Sequence, residues 1–320
     1  MTLPAWAIRP EQVRAVLPDA DPSVAGALGG IEEWRARPEA ERAPVFAAAL
    51  LLDAGEHAAR KALWGLGAPI AWREHVAALV RYAWLPFGAL ERPDLDRLAF
   101  RVSLLARNDD LGLLATAEAL RRADVRLVEE VALFTQYTRE IGCLDKPRGF
   151  ASDHARFAYF RTPGRDPDYA AFDDTRCTVT VLSGLPGAGK DHWVAANRAG
   201  VPVVSLDDLR DELGVRPTGD QGPVIAAAYA RAREYLRAGV AYVWNATNTT
   251  RALRSRCVGL AASYGARVEA VSVEAPPEVV HRRNRARERR VPAAVIDRMA
   301  GRWEPPDITE AHSVSSILNG

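Results

Sequence analysis

A β-branched segment that leads directly into a glycine-rich turn and a lysine constrains the fold of this chain more than any other feature. Residues 178–183 read T-V-T-V-L-S, which is typical of a buried strand, and residues 184–190 read G-L-P-G-A-G-K. Glycines in such a turn adopt positive φ angles and bring backbone N–H groups to phosphate oxygens at the positive end of a helix. The stretch therefore predicts a strand, a phosphate-binding loop and a helix within an α/β fold.

The loop predicts ATP as a ligand, because Lys190 adds a positive charge next to the β- and γ-phosphates. A purely structural turn also uses glycines, but it does not need the strand, the glycine spacing and the lysine together. The residues that we expect to contact ATP are Gly184, Gly187, Ala188, Gly189, Lys190, Asp191 and His192.

The residue after the lysine departs from the usual phosphate-loop pattern. This position is normally Ser or Thr, close to the Mg²⁺ of the nucleotide, whereas here it is Asp191. A carboxylate binds a hard cation, but it repels phosphates unless the metal lies between them. We expect Mg-ATP to bind, with Asp191 as a candidate Mg²⁺ ligand.

The composition limits the class of protein. With 320 residues the chain is long enough for two domains, and its net charge of +1 means that any nucleic-acid site is a local patch. Three widely spaced cysteines fit a reducing compartment without disulfides or a zinc site. The sequence shows neither a signal peptide nor an apolar run long enough to span a membrane, so we expect a cytoplasmic protein without a membrane partner.

Hydrophobic patterns divide the chain into three parts. Helical spacing predicts an all-α domain over residues 1–145, and alternating strands and helices predict a parallel sheet with helices on both faces over residues 177–320. Residues 146–176 are rich in prolines, charges and aromatic rings, which predicts an ordered connector. One group of its residues suits either packing or the stacking of a single-stranded nucleic acid: Arg156, Phe157, Tyr159, Phe160 and Arg161.

The expected sheet places polar residues at the carboxyl ends of its strands, where ligands bind in open α/β sheets. We expect strands near 178–183, 201–206, 240–245 and 267–274, and helices near 190–198, 207–213, 222–238, 250–264, 276–289 and 292–302. Asp207 and Arg210 follow the second strand. We expect Asp207 to accept a proton from an attacking hydroxyl and Arg210 to hold an anionic substrate group, although a helix N-cap with a local ion pair uses the same residues.

The third expected strand ends in N-A-T-N-T-T-R, residues 245–251. Many nucleotide-binding sheets place an Asp at the strand end to hold a metal-bound water, whereas Asn245 has no charge and only forms hydrogen bonds. Asn248 and Arg251 are candidates for substrate contact.

Six arginines lie between His281 and Arg290. Such a run is usually a solvated helix face. Arg283 and Arg287, however, lie four residues apart on one side of the expected helix, so this segment is suited to closing over ATP as a lid. Guanidinium groups there stabilise the charge that develops on the departing phosphate.

These motifs together resemble the kinase domain of phage-type polynucleotide 5′-hydroxyl kinases and their bacterial RNA-repair relatives. The resemblance covers residues 177–320 through G-L-P-G-A-G-K-D-H-W, D-D-L-R, N-A-T-N-T-T-R and R-R-N-R-A-R. It implies a P-loop NTPase fold that uses ATP and Mg²⁺ to phosphorylate the 5′-hydroxyl of nucleic-acid ends, RNA more than DNA, with an RNA ligase as a candidate partner. It also implies that Lys190 binds phosphates, Asp207 is the general base, Arg210 contacts the phosphate of the terminal nucleotide, and Arg283 and Arg287 are lid arginines.

The N-terminal half more faintly resembles the HD-type metal phosphohydrolase domain that accompanies such kinases, and the HD region of bacterial tRNA nucleotidyltransferases. The matching stretches are A-A-A-L-L-L-D-A-G-E and R-E-H-V-A-A-L-V-R-Y-A-W-L-P-F. The His-Asp pair of such sites reads Leu52-Asp53 here, and Ala83 stands where a histidine is common, so His57 and His75 do not complete a metal centre. The resemblance implies a catalytically silent all-α domain that serves as a scaffold or an RNA-docking surface.

Two other functions are consistent with the same residues. One is a P-loop kinase for a small molecule such as a nucleoside or a sugar. The other is an ATP-gated nucleic-acid-binding module that binds the nucleotide without turnover. Transfer of phosphate from ATP to an oligonucleotide distinguishes both from the polynucleotide kinase.

Overall fold

The computed structural model describes residues 3–216, 218–287 and 289–320, which form two compact units. The first unit ends at Gly149 and the second begins at Phe150. Every helix in the described part of the chain is too short or too polar to cross a membrane.

The described part of the first unit is helical, as its periodicity predicts. Its helices bury their apolar sides in one core around Leu51, Trp72 and Leu114. The α-helices are α1 (Pro10–Val16), α2 (Ser23–Leu28), α3 (Glu32–Arg35), α4 (Glu39–Leu51), α5 (Gly55–Gly65), α6 (Ile70–Tyr82), α7 (Leu95–Leu105), α8 (Asn108–Arg121) and α9 (Val125–Glu140), with a 3-10 turn at Ala89–Glu91. Helical spacing is clear for α4 and for α6 to α9, whereas α1, α2, α3 and α5 were not predicted separately; the first three have too few turns to show the repeat.

A buried hydrogen bond to a carboxylate holds one of the two histidines considered for a metal centre. His75 Nε2 lies 2.9 Å from Asp110 Oδ2, and Arg37 also donates a hydrogen bond to the Asp110 carboxylate. Burial acts to raise the pKa of Asp110, but the hydrogen bond from His75 and the charge of Arg37 outweigh it and lower that pKa. His57, in contrast, is exposed, as is Asp53.

The second unit is built on a parallel sheet with five strands. They are β1 (Cys177–Ser183), β2 (Val203–Ser205), β3 (Tyr242–Asn245), β4 (Ala266–Glu274) and β5 (Ser313–Leu318). Their order is β2-β3-β1-β4-β5, so β1 lies in the centre between β3 and β4. The loop that follows β1 therefore starts at the middle of the sheet edge to which all strands point.

The sheet is buried on both faces, because alternate side chains of a strand point in opposite directions. Val179 and Val181 of β1 pack in one cluster, whereas Leu182 packs in another with Val271 of β4. The helices of this unit are α10 (Asp153–Arg161), α11 (Lys190–Asn197), α12 (Leu206–Glu212), α13 (Gly222–Arg237), α14 (Arg251–Ser263), α15 (Pro277–Ala286) and α16 (Ala293–Ala300). This arrangement confirms the predicted α/β fold.

Strand β5 was not predicted from the sequence. Its residues read S-V-S-S-I-L, in which three serines hide the pattern of a buried strand. It forms at the sheet edge by pairing with β4, in a register that sets Val271 beside Ser315. Pairing with an existing strand, rather than burial of its own side chains, accounts for this element.

The segment predicted as a connector contains α10, whose first turn is capped by Ser152. Phe157 and Tyr159 on this helix are buried. Arg156 donates hydrogen bonds to the carbonyl oxygens of Ile308 (3.2 Å) and His312 (2.6 Å). These contacts favour packing over base stacking for the three residues, because their aromatic faces and donor groups are already used inside the second unit.

Candidate active site

The glycine loop between β1 and α11 is packed so closely that side chains have no room at its glycines. A Cβ on Gly184 would lie 2.2 Å from the carbonyl oxygen of Val273 in β4, and one on Gly187 would lie 2.8 Å from that of Val280 in α15. Gly187 also has a φ of +86°, which residues with side chains rarely adopt. The loop backbone thus has the compact, glycine-dependent form that a phosphate cradle requires.

Lys190 begins α11 and turns back over this loop. Its ammonium group donates hydrogen bonds to the carbonyl oxygens of Gly184 (2.9 Å) and Leu185 (3.2 Å). Burial lowers the pKa of Lys190 to about 8, while the charges of Asp191 and Asp207 act to raise it. A cation whose solvation by water is partly removed gains more from binding an anion than an exposed one does, which suits Lys190 to a phosphate.

Two residues that depart from the usual phosphate-loop pattern contact each other. Asn245 at the end of β3 donates from Nδ2 to Oδ1 of Asp191 in the first turn of α11, at 2.7 Å. Carboxylate and amide oxygens are ligands that Mg²⁺ accepts, so the chemistry of this pair fits a magnesium ion. His192, which we also expected near ATP, is exposed and makes no hydrogen bond within the described residues.

Asp207 and Arg210 lie on α12, directly after β2. Arg210 Nη1 donates to the Asp207 carboxylate, and Arg210 Nε donates to Gln221 Oε1 at 2.7 Å. Gln221 in turn donates from Nε2 to the carbonyl oxygens of Arg216 and Gly219. Sequence reasoning missed Gln221, because a single glutamine before α13 belongs to no recognisable motif. The Asp207 side chain stays 74% exposed, so solutes can reach it.

The arginine-rich helix is shorter than we predicted. Helix α15 ends at Ala286, and Arg287 has an extended backbone with ψ 146°. Asn284 binds the backbone of Val291 twice, accepting from its N–H at 3.0 Å and donating to its carbonyl oxygen at 2.7 Å. The expected helix through residue 289 is therefore wrong, since α15 ends at Ala286 and these two bonds bring Val291 back to the helix end.

Both predicted lid arginines nevertheless lie close to the phosphate loop. Nη1 of Arg283 would be 3.6 Å from a Cβ placed on Gly189. The charge of Arg287 contributes to lowering the pKa of Lys190, which it can do only from within electrostatic range. The Arg283 guanidinium donates hydrogen bonds to the carbonyl oxygens of Asn319 (3.1 Å) and Gly320 (3.0 Å), so C-terminal residues hold it beside the loop.

The side chains of the two other predicted substrate residues make contacts inside the fold. Asn248 is buried and donates from Nδ2 to the carbonyl oxygen of Leu182 in β1, at 2.8 Å. Arg251 donates from Nη1 to Asp307 Oδ2 at 2.6 Å and from Nη2 to Thr309 Oγ1 at 2.8 Å. Asn248 is thus held at the end of β1 that leads into the glycine loop, and Arg251 is held by Asp307 and Thr309, so their substrate contacts stay predictions.

The central β1, the packed glycine loop and the lysine on the following helix together define a P-loop domain. Residues 179–306 match the family profile AAA_33, which is described as an AAA domain. A solved structure of a candidate kinase from Chloroflexus aurantiacus J-10-fl is similar over 45% of this chain and 86% of that chain, with 16% sequence identity and a TM-score of 0.39. No curated protein matches the chain. The family match lies within the second unit, so the HD-like character of the first unit stays a prediction.

Proposed function

We propose that the second unit is an ATP-dependent phosphotransferase that phosphorylates the 5′-hydroxyl of nucleic-acid ends, RNA in preference to DNA. The proposal depends on the position of Asp207, which follows β2 at the sheet edge where the loop after β1 also lies and is ion-paired with Arg210. A carboxylate, a phosphate-binding lysine and an arginine are thus grouped at one edge of the sheet. This combination supports transfer to a hydroxyl that has an anionic group beside it.

The reaction needs one proton acceptor and several cations. The hydroxyl oxygen forms a bond to the γ-phosphorus, the bond from that phosphorus to the β–γ bridging oxygen breaks, and the hydroxyl proton passes to Asp207 as ADP leaves. Lys190, Arg283 and Arg287 would supply positive charge beside the phosphate oxygens. Their convergence on one loop supports phosphoryl transfer over simple nucleotide storage.

Magnesium fits the residues present, because Asp191 and Asn245 offer oxygen atoms of the kind that it prefers. When bound, the ion neutralises charge on the phosphates. The chain's own contribution is to hold the Asp191 carboxylate beside the loop through the hydrogen bond from Asn245.

The ion pair between Arg210 and Asp207 favours a substrate that carries a phosphate. While Arg210 donates to the Asp207 carboxylate, that oxygen is less available to accept a hydroxyl proton. A substrate phosphate that binds Arg210 frees the carboxylate for its role as base. A nucleotide with a 3′-phosphate next to its 5′-hydroxyl sugar supplies such a group, whereas a nucleoside or a neutral sugar does not. This requirement favours nucleic-acid ends over the small-molecule alternative.

The test is incubation of the protein with γ-labelled ATP and four acceptors: a 5′-hydroxyl RNA, a 5′-hydroxyl DNA, a nucleoside and a nucleoside 3′-phosphate. We expect label on RNA above DNA, and on the nucleoside 3′-phosphate above the nucleoside. Asp207→Asn should lower the transfer rate about 10²- to 10⁴-fold with ADP affinity nearly unchanged, since it removes only the proton acceptor. Asp208→Asn is the matched control, because Asp208 is the next residue on α12, is exposed and uses its side chain in no hydrogen bond with the described residues.

Each alternative function has its own result in this experiment. Label on the nucleoside or a sugar but not on oligonucleotides would replace the proposal by a small-molecule kinase. ADP binding without transfer to any acceptor would indicate an ATP-gated binding module. Loss of ADP binding in Asp207→Asn would mean that Asp207 serves nucleotide binding rather than proton transfer.

A further inference from the structure

Asp191 and Asn245 occupy the two positions that surround the metal in ordinary phosphate-loop proteins, but with their chemistry exchanged. The ordinary arrangement has a hydroxyl after the lysine and a carboxylate that follows a neighbouring strand. In this chain the carboxylate follows the lysine, and a neutral amide ends β3. The pair therefore keeps the same inventory of one negative charge and one neutral hydrogen-bonding group.

The direct contact between the two residues shows that these departures belong together. β3 pairs with β1, which brings the end of β3 beside the start of α11. A carboxylate only accepts hydrogen bonds, so the Asn245 amide must present its Nδ2 to Asp191, as the 2.7 Å contact shows. Two independent changes in the motif would have no reason to form complementary donor and acceptor groups at this distance.

The same contact leaves two hard oxygen atoms available. Within the described residues, neither Oδ2 of Asp191 nor Oδ1 of Asn245 has a hydrogen-bond partner. Asp191 is exposed at the start of α11, next to Lys190, where the phosphates would be bound. A carboxylate oriented in this way can bind a divalent cation without losing its hydrogen bond to the sheet.

We propose that Asp191 supplies the metal-binding carboxylate of this site and that Asn245 is the positioning residue that orients it. Compared with ordinary phosphate-loop proteins, the negative charge lies on helix α11 instead of at the end of a strand, and the neutral group lies at the end of β3 instead of after the lysine. The inference rests on the proposed function, since it concerns the Mg²⁺ that accompanies ATP. It predicts that metal binding survives when the carboxylate and the neutral group are exchanged between the two positions, and that it is lost when only one position is changed.

The test measures ADP affinity by calorimetry in EDTA and at saturating Mg²⁺, in the full-length protein. The ratio of the two dissociation constants gives the coupling between metal and nucleotide without any catalytic step. In Asp191→Asn we expect this ratio to fall about tenfold or more, with metal-free ADP affinity retained or increased because a repulsive charge is gone. Asn245→Ala keeps the carboxylate but not its orientation, so its ratio should fall several-fold. Binding of Mn²⁺ with ADP, followed by electron paramagnetic resonance, reports the same loss directly.

The reciprocal exchange separates this inference from a simple structural role. Asp191→Ser should lose the coupling, and Asp191→Ser combined with Asn245→Asp should regain it to within about threefold of the wild type. Glu278→Gln is the charge-matched control: it removes an exposed carboxylate on α15 that has no hydrogen-bond partner within the described residues, and it should leave the ratio unchanged.

The possible results lead to different conclusions. Unchanged coupling in Asp191→Asn, or a double variant that is no better than Asp191→Ser, would overturn the inference while leaving a nucleotide-binding kinase intact. Absence of ADP binding by the wild type in both conditions would contradict the proposed function and the inference together. Retained metal-free ADP affinity in each variant shows that the variant is folded.

Discussion

Acid titration of His312 offers a direct test of the packing in the second unit. His312 is 1% exposed, its Nδ1 accepts the N–H of Val268 at 2.9 Å, and its Nε2 lies 3.1 Å from Nδ1 of His154. A ring nitrogen that accepts a backbone N–H carries no proton, so neutral His312 bears its proton on Nε2 and donates it to His154. Protonation of Nδ1 would break the bond to Val268 and place a charge beside the ring of Phe157, whose centroid is 4.1 Å away.

The size of the effect follows from the pKa of His312. Burial, together with the charges of Arg267 and His154, lowers this pKa from 6.5 to about 4, although Asp173 and the bond from Val268 act to raise it. The pKa of His312 is lower in the folded protein than in the unfolded one, so on acidification the unfolded state binds the proton first. The free energy of unfolding is therefore unaffected by His312 above pH 6.5 and falls as the pH drops towards 4. The difference between the folded and the unfolded pKa of His312 corresponds to about 3 kcal/mol of unfolding free energy. About 2 kcal/mol of this is lost between roughly pH 7 and pH 4.5.

The assay compares the wild type with His312→Asn by urea unfolding at about pH 7 and pH 4.5. Oδ1 of Asn can still accept the Val268 N–H, but the side chain does not titrate. Carboxylates shared by both proteins cancel in the comparison, so the wild type should lose about 2 kcal/mol more than the variant on acidification. Nitrogen-15 spectra of the imidazole rings test the assigned tautomer. Equal losses in the two proteins, or a His312 ring that titrates near its ordinary pKa or bears its proton on Nδ1, would refute the reasoning.

Two further variants test single contacts of the second unit. Lys190→Met should lower ADP affinity about tenfold or more without changing the circular dichroism spectrum, since it removes the cation held over the glycine loop, and unchanged affinity in calorimetry would contradict its assignment to phosphates. Arg254→Met should cost about 3 kcal/mol or more in urea unfolding, because it leaves Glu310 as a buried charge without the guanidinium that donates to it at 2.8 and 2.7 Å. Adding Glu310→Gln to Arg254→Met should recover part of that loss, and a double variant less stable than the single one would argue against an uncompensated charge.

Features that depend on neighbouring residues could be predicted from the sequence. The run from Thr178 to Lys190 predicts a strand, a turn and a helix start in one continuous stretch, and the structure forms β1, the glycine loop and α11 there. Asp207 and Arg210 are three residues apart on one helix, so their ion pair is a local consequence of helix geometry. The alternation of strands and helices in the second half likewise predicts a parallel sheet, because its signal is the order of elements along the chain.

The weakest predictions concerned residues whose partners are distant in sequence. β5 pairs with β4 although its own pattern is polar, and α15 stops early because Asn284 binds Val291 instead of permitting another turn. Arg251 is a candidate substrate contact by its position after a strand, and only the structure shows its ion pair with Asp307.

The sequence alone thus determined the phosphate loop, the chemical types around it and the positions of four of the five strands along the chain, because these depend on short-range periodicity and backbone preference. Only the tertiary structure decided that Asp191 and Asn245 are partners, since 54 residues separate them along the chain and the pairing of β3 with β1 brings them together. Hydrogen-bond partners of this kind cannot be identified from either position alone, because the departure of each residue from the usual pattern does not show which residue it contacts.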